Sequence, residues 1–272
     1  MKDKLNIGFI GVGNMASAMI GGMTSSGNYP WENIYLYDVF SEKTEDFVKC
    51  GAKKMSSASE IYSSCDCVVL AVKPQNYPEV LEELSLLSEK KQVLVISIAA
   101  GITTESVSKA LNGAHVVRAL PNTPIFIGKA VSVLCKNALV EDDEFEFAQS
   151  IFASSGSVTV IDESEMNRII SVTSSSPAYV FKFIKAICDG ADAQGLDGKA
   201  LLCSVCDVVS GAAQMLASSD KTADELISMV CSKGGTTERA VAELDRFDFE
   251  AGIVSAMKKC TERADELSNI KK

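Results

Sequence analysis

The run Leu5-Asn6-Ile7-Gly8-Phe9-Ile10-Gly11-Val12-Gly13-Asn14-Met15-Ala16 constrains this chain more than any other. A strand-like segment passes directly into Gly11-x-Gly13-x-x-Ala16, and a helical pattern over 14–26 follows. Each small residue has a physical task. Gly11 allows the tight turn, Gly13 lets the backbone approach a pyrophosphate, and Ala16 keeps helix and strand close. The pyrophosphate then rests on a helix N-terminus and is held by backbone N–H groups. This suits a chain with 26 Lys and Arg against 36 Asp and Glu, a net charge of −10. A polyanion binder presents a basic face, so nucleic acid is not an expected partner.

The first half alternates strand and helix signals. Ile34–Tyr37, a short segment near Ala52–Lys54, Cys67–Val72, Val93–Ile98, His115–Arg118, Ala130–Leu134 and Val158–Ile161 read as strands. Continuous apolar strands separated by helical patterns predict a mostly parallel sheet covered on both faces. After Ile161 no strand signal returns. Helices are expected over Met166–Ala191, Gly195–Ala217, Thr222–Met229, Thr236–Leu244 and Phe249–Leu267, with Pro177 kinking the first or starting a new one. At roughly 150 residues per domain, 272 residues make two. The fold class is therefore an α/β doubly wound sheet over 1–162 followed by an all-α domain over 163–272. The first helices are apolar on more than one face, which predicts a homodimer through this region.

No apolar run reaches the roughly 18 residues of a membrane span. Met1-Lys2-Asp3-Lys4 lacks the apolar core of a secretory leader. Nine cysteines in that context point to a reducing, cytoplasmic setting. His115 is the single histidine, and no metal site is expected. Cys203 and Cys206 read as small hydrophobes in packing, and His115 as a structural or surface residue.

Further candidates lie where strands end. Asp38 closes the second strand, where a carboxylate accepts from a ribose 2′-OH and repels a 2′-phosphate; it could equally cap the turn before Ser41. Ala71-Val72-Lys73-Pro74 ends the fourth strand, and Lys73 could neutralise a phosphate. Ala99-Ala100-Gly101 suits packing against a flat nicotinamide ring. In Pro121-Asn122-Thr123-Pro124, the Asn122 amide could fix the ring carboxamide. Ser232-Lys233-Gly234-Gly235-Thr236-Thr237 precedes a helix and reads as a backbone anion nest with capping hydroxyls, fit for a small carboxylate.

Together Gly8–Ala16, Ala71–Gln75, Arg118–Pro124, Ser175-x-Pro177-Ala178-Tyr179, Gly211-Ala212-Ala213-x-Met215-Leu216 and Ser232–Thr237 resemble the pyrroline-5-carboxylate reductase family along essentially the whole chain. The resemblance implies a Rossmann domain, a helical dimerisation domain and an active site between them, to which a second subunit contributes. It implies that Gly11, Gly13, Asn14, Met15, Ala71, Val72, Lys73 and Pro74 bind NADPH or NADH. Gly234, Gly235, Thr236 and Thr237 would cradle the carboxylate and ring nitrogen of the imino acid, with Ser175 close by and the Thr237 hydroxyl on the ring nitrogen. The expected reaction is reduction of Δ1-pyrroline-5-carboxylate to L-proline, the last step of proline biosynthesis. A homodimer, or a ring of dimers, would carry it out. The chain departs from the family pattern at Ser174 and Ser176, where glycines are usual, at Lys233 for proline, and at Ala58 for asparagine. A β-hydroxyacid-type dehydrogenase is one alternative, but its lysine base wants Asn four residues on, and Lys182 has Ala186 there. A dinucleotide-binding relative without turnover is the other; Ser174 and Ser176 favour it.

Overall fold

The computed structural model describes residues 5–269 apart from 26, 28 and 90; Met1–Lys4 and the last three residues of the expected second domain lie outside the described residues. Eight strands form one sheet: β1 (Ile7–Ile10), β2 (Ile34–Tyr37), β3 (Lys53–Lys54), β4 (Cys67–Leu70), β5 (Leu94–Ser97), β6 (His115–Leu120), β7 (Ala130–Lys136) and β8 (Gly156–Val160). Their order is β3-β2-β1-β4-β5-β6-β7-β8, and only the β6–β7 pairing is antiparallel. The connection over 121–129 is too short for a crossover, so the chain must turn back on itself there.

The helices of this part are α1 (Asn14–Ser25), α2 (Glu45–Lys49), α3 (Ala58–Ser64), α4 (Tyr77–Ser88), α5 (Thr104–Ala110), α6 (Asp142–Ala153) and α7 (Met166–Ile169). Alternate strand residues feed two cores. Ile7, Phe9, Val69 and Ile96 pack with Met19 and Ile20 of α1 and Phe152 of α6. Ile10, Val68, Leu70 and Val95 pack on the opposite face with Ile61 of α3, Leu84 of α4 and Val107 of α5. Each such fully buried side chain contributes roughly 1.5–3 kcal/mol. β1, β4 and β5 are buried along their whole length, which is why they read as unbroken apolar runs.

A buried cation ties this sheet to its surroundings. Arg118 on β6 is 1% exposed. Its guanidinium donates to Asn167 Oδ1 at 2.9 Å and lies 3.7 Å from Glu163. Burial pulls its pKa down, and Glu163 opposes that by favouring the charged form. The same Glu163 carboxylate accepts from the Thr104 backbone N–H at 2.7 Å and from the Thr104 hydroxyl, fixing the start of α5. Glu163→Ala is therefore expected to lower unfolding free energy by about 2–3 kcal/mol, because it leaves a buried charge without its counter-ion and a helix start without its acceptor. Glu163→Gln, which keeps an acceptor, should cost less; equal denaturant midpoints for parent and Glu163→Ala would refute this.

The chain divides into two compact units, Met1–Ser175 with Cys260–Lys272, and Ser176–Lys259. The division therefore falls beyond the 162/163 boundary read from the sequence. Met166 and Ile170 are drawn into a core with Leu120, Val133 and Ala264, so α7 and the end of the last helix count with the sheet.

The second unit is helical: α8 (Ser176–Ala193), α9 (Leu202–Ala217), α10 (Ala223–Val230), α11 (Thr236–Arg246) and the first part of α12 (Phe249–Asn269). Pro177 starts a new helix, after a wide π turn over Ile170–Ser174. The helix expected from Gly195 begins only at Leu202. Gly195 takes φ +81°, Leu196 N–H bonds back to the Ala191 carbonyl at 3.0 Å, and the Asp192 carboxylate holds Gly198 N–H at 2.8 Å, which ends α8 and shapes the turn. α9, α10 and α11 bury no residue within the single chain. Cys203 and Cys206 are exposed instead of packed. Cys65 and Cys135, by contrast, are buried, and burial pushes each thiol up to about 12.

Candidate active site

Strand order reverses beside β1, between β2 and β4, and ligands of open α/β sheets bind outside the carboxyl ends of the strands at such a point. A cavity of about 440 Å³ lies there. Gly11, Gly13, Asp38, Ala71, Val72 and Lys73 all line it. Gly11 sits at φ +91°, and a Cβ on it would stand 2.9 Å from the carbonyl carbon and oxygen of Ala71. Gly13 differs: a Cβ there would meet nothing within 4 Å, so its face is open to an approaching group. A tight turn at one glycine and bare backbone at the next, opening α1, fit a dinucleotide pyrophosphate.

Asp38 is tied down more firmly than the sequence suggested. Its carboxylate accepts from Val12 N–H at 2.7 Å and Phe40 N–H at 2.9 Å. Lys43 Nζ stands 3.2 Å from Oδ1 and over the Phe40 ring. The turn-capping role therefore holds, and the same side chain also lines the cavity. Lys73 is exposed at the end of β4, and Pro74 opens the turn after it.

Other candidates do not line this cavity. Asn14 is the exposed first residue of α1, and Met15 packs against a core. Ala99 is 5% exposed and packs in the core on the α4 face. Asn122 corrects the reading of an available amide: it is 6% exposed, donates to the Thr173 carbonyl at 3.0 Å and accepts from Val131 N–H at 2.9 Å. One amide N–H ties the β6–β7 turn to the π turn, and the amide oxygen ties it to β7. Gln75, in the turn before α4, lines the cavity as part of the Ala71–Gln75 loop; the sequence reading missed Glu79 and Glu83, which line it from α4, their spacing of four putting them on one helix face.

The glycine turn of the helical unit has its own geometry. Gly234 takes φ +73°, and its N–H is held by the Glu238 carboxylate at 2.7 Å, so this loop already grips a carboxylate. Gly235 is the N-cap of α11, and no side chain caps that helix. The Thr236 and Thr237 hydroxyls thus do not serve as caps, contrary to expectation, and the first-turn N–H groups have no partner from within the helix. In the sheet unit, Ser175 Oγ is 3.2 Å from Cys260 Sγ. Ser174 Oγ is buried and makes no hydrogen bond. His115, with Glu144 Oε2 at 2.6 Å and Gln92 on its other nitrogen, is a structural residue at the start of β6.

A glycine turn at the switch point of a mostly parallel sheet, followed by a helical unit, is the construction of dinucleotide-dependent oxidoreductases. Comparison with known proteins narrows this. Residues 163–267 match the family described as pyrroline-5-carboxylate reductase dimerisation, and residues 6–101 match NADP oxidoreductase coenzyme F420-dependent. A pyrroline-5-carboxylate reductase of Escherichia coli K12 is 36% identical over 264 residues, covering 96% of this chain and 98% of that protein. One from Methanosarcina acetivorans is 36% identical over 271 residues, covering 97% and 98%. Among solved structures, the enzyme from Coxiella burnetii superposes with a TM-score of 0.89 at 32% identity, covering 98% of this chain and 100% of that one. The Plasmodium falciparum pyrroline carboxylate reductase with NADP bound gives 0.90 at 26%, covering 98% and 99%. This chain belongs to the pyrroline-5-carboxylate reductase family.

Proposed function

We propose that this chain reduces Δ1-pyrroline-5-carboxylate to L-proline with NADH or NADPH, as an oxidoreductase of proline biosynthesis. Likeness to reductases of this name over almost the entire chain carries the reading. The reduced nicotinamide, when bound, supplies the hydride for the C=N carbon. The Gly11–Ala16 turn holds the pyrophosphate through backbone N–H groups, with Ala71, Val72 and Lys73 along the same cavity. The Gly234-Gly235 turn and the first amides of α11 hold the substrate carboxylate, which takes Gly234 N–H by displacing the Glu238 carboxylate that holds it here. Thr237 hydrogen-bonds the ring nitrogen and fixes the ring. A protonated imine is already electrophilic, so the chain's work is positioning, which supplies several kcal/mol.

The assembly we propose is a homodimer, extending to a ring of dimers, formed through the helical unit. Nine free thiols suit a cytoplasmic setting, and no helix among the described residues is long and apolar enough to cross a membrane. Absorbance loss of NADH or NADPH on addition of pyrroline-5-carboxylate tests the activity; no loss with either would overturn it. Thr237→Ala should lower kcat/KM about tenfold or more, roughly the 1.4 kcal/mol of one hydrogen bond made to the reacting ring; an unchanged value removes Thr237 from the site.

A further inference from the structure

We propose that this chain prefers NADH to NADPH, and that Asp38 is the residue that discriminates. The proposal rests on the dinucleotide reading of the Gly11 turn. A carboxylate at the end of β2 that lines the cavity meets the ribose end of the cofactor, accepting from a 2′-OH and repelling a 2′-phosphate. Whether it can be moved aside decides the outcome. Here it cannot. Its side chain is 7% exposed, and two backbone N–H groups, Val12 at 2.7 Å and Phe40 at 2.9 Å, hold one of its oxygens each. Rotating Asp38 away would strip the glycine turn of its own acceptor. A carboxylate offers about four lone-pair positions; the two backbone N–H groups take two and Lys43 Nζ, at 3.2 and 3.4 Å from the two oxygens, takes the others, so a ribose hydroxyl enters by replacing the exposed Lys43 ammonium at one oxygen.

The charge around it points the same way. Lys43 would be the cation to receive a phosphate, but its ammonium is already 3.2 Å from Asp38 and stacked on Phe40. Lys73 is the second cation lining the cavity, and Glu79 and Glu83 line it too, so with Asp38 the acids outnumber the cations. Ala58, also on the wall, brings no donor. A 2′-phosphate, which carries between one and two negative charges at neutral pH, would enter a cavity whose own charge is negative.

The test is equilibrium binding of NADH and NADPH to the purified protein, read by nucleotide fluorescence, alongside turnover of pyrroline-5-carboxylate. NADH should bind at least tenfold more tightly than NADPH, and Asp38→Ser should shrink that ratio at least tenfold. Lys43→Ala should widen it, and this second variant keeps the test alive if Asp38→Ser does not fold. Equal or tighter binding of NADPH by the parent protein, with turnover intact, overturns the preference and leaves the function standing. Binding in the expected ratio without turnover upholds the preference and overturns the function. Failure of both nucleotides to bind overturns both.

Discussion

Gly13→Val is expected to weaken dinucleotide binding at least a hundredfold while leaving the melting temperature nearly unchanged. Nothing lies within 4 Å of a Cβ at this position, so the folded chain has room for the new side chain. That room is the approach path of the pyrophosphate, and a branched side chain fills it. Gly11→Ala should behave differently. A Cβ at φ +91° costs on the order of 1–3 kcal/mol in backbone strain alone, and it would press against the Ala71 carbonyl at 2.9 Å. That variant should lose stability as well as binding. The pair thus separates a glycine required by the fold from a glycine required by the ligand. Calorimetric melting and fluorescence titration of both variants read the difference; tight NADH binding by Gly13→Val would remove the turn from the cofactor site.

Val208→Asp is expected to turn a dimer into a monomer at micromolar concentration and to reduce kcat/KM tenfold or more. Val208 on α9 is 67% exposed, Phe181 on α8 is 62% exposed and Val230 at the end of α10 is 65% exposed. Large side chains at such exposure on three successive helices form apolar surface that a lone soluble chain does not usually present. A carboxylate placed among them would be desolvated without a partner on association. Sedimentation velocity of parent and variant decides the matter: a monomeric parent sinks the dimer, and a dimeric variant moves the interface elsewhere.

Local signals were readable and distant ones were not. β1, β4 and β5 could be placed to within two residues because a strand buried on both faces must be apolar throughout. The glycine turn was readable because the steric demand at Gly11 comes from its own backbone angle. Around Gly195 the sequence misled, since 196–201 look helical, whereas the structure depends on the Asp192 carboxylate folding back to Gly198. Asn122 looked available because its partners, Thr173 and Val131, are brought to it only by the fold. Glu163 gave no signal at all; Thr104 and Arg118, which give it meaning, lie on other elements. For Asp38 the two sequence readings were both physically sound: its carboxylate holds the turn, and the ribose contact is what the nucleotide-binding experiment tests.

The end of α12 sets an order of events in the making of this protein. Ala264 is 4% exposed within the core formed with Leu120, Met166 and Ile170, and Asn167 bonds to Asp265 at 2.9 Å. The sheet unit therefore lacks a piece of its interior until residues 264 and 265 have been made. A growing polypeptide on the ribosome can assemble the sheet early. It closes that last patch only once residue 264 has cleared the ribosome, so a stop codon near 259 would leave the sheet unit, not the helical one, with an open seam.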